Sequence, residues 1–131
     1  MSYELSYAEH GFVVRFHGNV TIDELNIANG ELQGHAQFDN HRFQIIDLLA
    51  ADLATVTEED AEFPAVTDSI ASRTNWGVKV AFVVTDSYAV NIVNSYMTYA
   101  RQLTPKWEFG IFATYDAALE WAAEKQPPHT R

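Results

Sequence analysis

The chain has 131 residues, 47% hydrophobic and 13% aromatic, with 18 acidic against 8 basic side chains and no cysteine. That length and apolar share suit one compact domain with its own core and exclude a chain disordered throughout. A net charge of −10 excludes unaided binding to nucleic-acid phosphates or anionic membranes, and the lack of cysteine excludes disulfides, thiolate catalysis and zinc knuckles.

The opening residues Met1 to Gly11 carry no basic stretch followed by an apolar one, so they do not read as a secretory signal. The longest aliphatic and aromatic run, Val80 to Val84, is far short of the roughly 20 residues that span a bilayer, and a soluble cytoplasmic protein is expected. Tyr3, Leu5 and Tyr7 alternate with polar residues, His10-Gly11 supplies a turn, and Phe12 to Phe16 returns as a second strand. Thr21 and Glu24 form a capping box for a first helix whose apolar stripe is Ile22, Leu25, Ala28, Leu32 and Ala36. Phe43 to Asp47 reads as a buried strand. Thr57 is the expected N-cap of a second helix, with Glu58, Glu59 and Asp60 suited to its first turn and Phe63, Val66 and Ile70 as its stripe.

Val78 to Val84 is the clearest buried strand. Asp86-Ser87 cap a long third helix to Leu103, Pro105 stops it, Trp107 to Phe112 form the last strand, and Thr114 caps a short helix to about Glu124. The order ββαβαβαβα predicts an α/β fold with an open, mixed, mainly parallel sheet whose first strand is antiparallel. Residues 1–125 are expected to form the single domain. Residues 126–131, with Pro127-Pro128, are expected to be a disordered tail.

The opening hairpin, the strand ending Ile45-Ile46-Asp47-Leu48, the acid-rich helix start Thr57-Glu58-Glu59-Asp60, the strand Lys79 to Val84 and the closing Thr114 to Trp121 carry a resemblance. In that order and spacing, over roughly residues 3–124, the chain resembles the STAS domain of anti-sigma-factor antagonists, and more closely the bacterial SpoIIAA-like proteins. The resemblance implies a SpoIIAA/STAS-like sandwich and a non-enzymatic regulatory role in protein–protein contacts. It also sets Thr57 at the place of the antagonists' phosphorylated serine. Here the aspartate, first serine and glycine of their Asp-Ser-Ser-Gly motif are absent, and Glu58, Glu59 and Asp60 would repel a phosphate, so Thr57 reads first as a helix cap.

Chemistry-bearing groups are sparse. Asp47, Asp86 and Asp116 fall at or just beyond strand ends, where open α/β sheets bind ligands, and would serve a metal-dependent hydrolase if they converged. His35, Asp39 and His41 are the densest cluster of metal-ligand types, yet two of them lie where a helix ends. No glycine-rich phosphate loop or nucleophile elbow occurs, so no catalytic residue, metal or cofactor is assigned.

The third helix is more telling. At 100° per residue its polar residues, Asn91, Asn94, Ser95, Thr98, Arg101 and Gln102, occupy an arc of about 120°, leaving an apolar arc wider than one sheet face covers. Tyr88, Val90, Tyr96, Met97 and Tyr99 are the candidate interaction or pocket residues. Three covers are open for this surplus: a neighbouring helix, a second copy in a homodimer, or a small apolar ligand, with Trp76 and Trp107 as further pocket candidates. The first expectation is a self-associating interaction domain, with a binding protein for an apolar or lipid-like molecule as the alternative.

Overall fold

A computed structural model describes residues 2–75 and 77–124. Its five strands lie in chain order across one sheet: β1 (Tyr3–Ala8), β2 (Gly11–Asn19), β3 (Phe43–Asp52), β4 (Lys79–Val83) and β5 (Glu108–Phe112). β1 is antiparallel to β2, and every later pair is parallel. Four helices, α1 (Ile22–Gln33), α2 (Glu62–Ala71), α3 (Ser87–Leu103) and α4 (Tyr115–Ala122), follow β2, β3, β4 and β5 in turn. The α/β class and mainly parallel sheet are as the residue pattern predicts. The expected tail, 126–131, lies outside the described residues, as does Trp76. Among the described residues no helix is long and apolar enough to cross a membrane.

Strand alternation divides the core into two layers. Val14 and Phe16, Leu48, and Val80 and Phe82 face a large core completed by α1, α2 and α3. Their alternates Ile45, Ala81 and Val83 face a smaller core under α4, where Ala118 and Ala122 are buried. Cations fasten this second layer. The Arg15 guanidinium lies 4.8 Å from the centre of the Tyr115 ring, and the Lys79 ammonium lies 5.0 Å from that of Trp121.

The β1–β2 hairpin turns through Glu9 and His10, both at positive φ (53° and 72°). Gly11 follows because β2 lies close to β3 there. A Cβ at Gly11 would sit 2.1 Å from the Phe43 ring, its pairing partner.

Four features differ from the residue pattern for local reasons. α1 ends at Gln33, where the Gly34 N–H closes on Gly30 and Leu32 carbonyls, so Ala36 lies beyond it. β2 and β3 continue to Asn19 and Asp52, paired with each other past a register shift between Arg15 and His17. Asp47 is therefore inside β3 and not at its end. Thr57 does cap a helical turn: its Oγ1 accepts from Asp60 N at 3.1 Å while Asp60 Oδ2 accepts from Thr57 N at 2.9 Å. A 3₁₀ turn, Glu59–Ala61, then leads into α2.

The fourth difference is a correction. Phe63, Val66 and Ile70, expected to face the core, are 57%, 42% and 58% exposed. The buried face is Ala65 and Asp68 of α2, continued by Ala61 of the preceding 3₁₀ turn. Both triplets have helical spacing, and small side chains take the inner face where α2 packs closely on α3.

Candidate functional site

Between the three-helix layer and the sheet lies a cavity of about 100 Å³, partly open to solvent. Its walls are overwhelmingly apolar: Val14, Phe16 and Phe82 from the sheet, Leu25 and Ala28 from α1, and Ile92 from α3. Ala28 of α1 and Ala61 just before α2, both almost fully buried, each present only a methyl group to this space. Pro64 also lines it, in the first turn of α2, where a missing N–H costs no helical hydrogen bond.

Only Asn29, Gln44, Asp68 and Tyr96 bring polar groups to this lining. Three of them meet in one cluster. Asp68 Oδ1 accepts from Asn29 Nδ2 at 3.1 Å and from Gln33 Nε2 at 2.7 Å, and its Oδ2 accepts from the Tyr96 hydroxyl. Asn29 Nδ2 also donates to Thr67 Oγ1 at 3.2 Å. The cluster thus ties α1, α2 and α3 together over the cavity.

A carboxylate offers about four lone-pair sites, and these three donors leave one on Oδ2 free. Burial raises the Asp68 pKa against the opposing effect of the Tyr96, Asn29 and Gln33 hydrogen bonds. Tyr96 is pushed well above its ordinary value by the same burial, then by the adjoining Asp68 charge. An apolar cavity with one convergent polar corner and shifted titratable groups has the make-up of a small-molecule site.

Gln44 joins a second buried network. His41 is 2% exposed, with Nδ1 on the Phe38 carbonyl and Nε2 3.1 Å from Gln44 Nε2. Since a carbonyl only accepts, Nδ1 carries the proton and Nε2 accepts from Gln44. Asn75 Nδ2 donates to the His41 carbonyl at 2.7 Å and to the Phe38 carbonyl at 3.0 Å. Burial lowers the His41 pKa, more than the Phe38 hydrogen bond and Asp39 raise it.

The residues singled out from sequence are dispersed. Of the third-helix candidates, Tyr96 lines the cavity, while Met97 is buried within the protein. Val90 and Tyr99 are half-buried against the same core, and Tyr88 is 44% exposed with its hydroxyl donating to the Val56 carbonyl. Much of the wide apolar arc of α3 is thus covered inside the molecule, by α2 and the sheet. Trp107 is buried too, but away from the cavity, its indole N–H donating to Asn75 O at 2.7 Å. Thr57 is exposed at its cap.

The three aspartates expected at strand ends do not converge on a site. Asp47 faces Arg15 at 3.5 Å, Asp86 caps α3 through Ala89 N, and Asp116 stands in the first turn of α4. His35 stacks on Tyr7 while His41 is committed to its network. Among the described residues no group of three histidine, aspartate or glutamate side chains could hold a metal ion.

The residue pattern does not single out Asp68, since the stripe expected of the second helix is Phe63, Val66 and Ile70. The signal of Asp68 is phase: Ala61, Ala65 and Asp68 recur at four and three residues, so an acid shares the small-residue face. No known protein-family model matches the chain, and no curated protein matches it either.

Proposed function

We propose that this protein is a non-enzymatic binding domain for a small, mainly apolar molecule carrying one hydrogen-bond donor. The observation that carries this reading is the cavity itself, with Asp68 and Tyr96 at a polar corner of an otherwise mainly apolar lining. An apolar cavity of ~150 Å³ takes up benzene, so this one suits a benzene-sized or smaller group, entering as one end of a larger ligand. The free Oδ2 lone pair of Asp68 would accept from a ligand hydroxyl or amide, and the apolar walls would take the remainder.

The finer fold placement belongs to the same proposal. An antiparallel edge strand, four further strands in chain order and a three-helix face support a SpoIIAA/STAS-like sandwich. Regulation through protein contacts is the second reading, favoured by the exposed apolar stripe of α2.

The test uses benzene and isobutanol as probes of the cavity. Both should raise the unfolding temperature and shift methyl signals of Ile92 and Val93 in NMR spectra. Ala28→Leu, which fills the space from α1, should abolish the response, as should Ala61→Leu from the start of α2. No stabilisation by either probe, or an equal response in a folded filled variant, would overturn the proposal.

A further inference from the structure

The outward face of α2 is unusual for a solvated helix. Phe63, Val66 and Ile70 form one exposed stripe. Continuing it at helical spacing, the next positions are Glu59 before α2 and Arg73 after it, both exposed. The stripe therefore reads acid, Phe, Val, Ile, base, at spacings of four, three, four and three residues.

We infer that α2 is a self-association surface, on which a second copy of this chain docks with its own α2 antiparallel. The pattern is complementary to its own reverse. About a two-fold axis at Val66, Phe63 meets Ile70 of the second copy, Val66 meets Val66, and Glu59 meets Arg73. A parallel pair would instead set Glu59 against Glu59 and Arg73 against Arg73, so charge selects the antiparallel arrangement.

The surroundings favour a second copy over a charged partner. Exposed Asn91, Asn94 and Thr98 on α3 carry no charge, and in the antiparallel arrangement the exposed acids Glu58 and Glu62 at the start of α2 fall toward the Arg73 end of the second copy and not against their own counterparts. A helix of 10 residues is only about 15 Å long, and one such crossing buries less than the ~1,200 Å² of a standard interface. The dimer is therefore weak and concentration-dependent.

The inference is independent of the cavity, whose lining α2 supplies from its opposite face. Sedimentation equilibrium over a concentration series tests it. The parent should show a reversible monomer–dimer equilibrium. Arg73→Glu, which sets like charges together at both ends, should weaken it about tenfold. Glu59→Arg should do the same, and the double exchange should restore the parent's dimerisation to within about threefold. Ile70→Glu should give a folded monomer, checked by circular dichroism. A parent that stays monomeric at millimolar concentration, a dimer that survives Ile70→Glu, or a double exchange without recovery would overturn it.

Discussion

The Tyr96 hydroxyl on α3 donates to the carboxylate of Asp68 on α2, and both residues are at least nine-tenths buried. An unpaired charge in that position would be costly, so the donors from α1 and α3 decide whether the three helices can close over the sheet. α1 in particular meets α2 through Asn29 and Gln33, both directed at Asp68, and makes little other contact with it.

The pH dependence of Asp68 has a definite sign. Its folded-state pKa is raised above the ordinary value of 3.8, so the folded protein keeps this proton to a higher pH than the unfolded chain. The contribution to stability is fully present below 3.8 and is lost as pH rises through the raised pKa. Asp68→Asn preserves the shape and removes the titration, because its amide nitrogen can donate to the Tyr96 oxygen. Urea unfolding of parent and variant from about pH 4 to about pH 8 should therefore show the parent losing stability relative to Asp68→Asn as pH rises. A difference independent of pH would show that Asp68 does not titrate in this way.

Tyr96→Phe removes one of three donors and leaves the buried carboxylate under-satisfied, at an expected cost of about 1–3 kcal/mol at neutral pH. At low pH, where Asp68 is protonated and neutral, the cost should shrink. In the Asp68→Asn background it should fall as well, giving a coupling energy in a double-mutant cycle. Equal losses in both backgrounds would mean that the phenol acts through packing alone.

Legibility in the sequence divided along a physical line. Caps were readable because they depend on neighbours three residues apart: Thr21 with Glu24, Asp86 with Ala89 N, and Thr114 with Ala117 N all form as the pattern predicts. The order of strands and helices along the chain was readable from the alternation of periods. The orientation of α2 was not. Periodicity says that two residues share a helix face but not which face is inward, and here the helices crowd together over Ala61 and Ala65 while Phe63 is left outside. The polar corner was hidden for a related reason: Asn29 and Gln33 are separated from Asp68 by more than thirty residues, and only tertiary packing brings them together.

His41 carries the opposite sign from Asp68. Burial holds its folded-state pKa below the ordinary 6.5, so the unfolded chain binds the proton first as pH falls. Stability from this group is present above 6.5 and declines as pH drops from there through the lowered folded value. The His41 ring signals in NMR spectra should stay at their neutral positions at pH values just below 6.5. A protonated His41 there would also break its bond with Gln44, since Nε2 could no longer accept. Full titration at the ordinary value in the folded protein would refute the assigned network.

The contact between Gly11 and Phe43 gives a prediction about fit. Gly11→Ala puts a Cβ 2.1 Å from the ring, and the strands β2 and β3 cannot separate there without breaking their pairing. The loss should be about 1–3 kcal/mol, as for other overpacked core positions. Adding Phe43→Leu vacates the ring's position, so the double variant should lose less than the sum of the two single ones. His10→Gly, one residue earlier, should instead stabilise by about 1 kcal/mol by relieving a left-handed backbone at a side-chain-bearing residue. Opposite effects at adjacent positions, measured by urea unfolding, would separate the two reasons a turn uses glycine: Gly11 because nothing else fits, and position 10 because the backbone bends against the side chain it now carries.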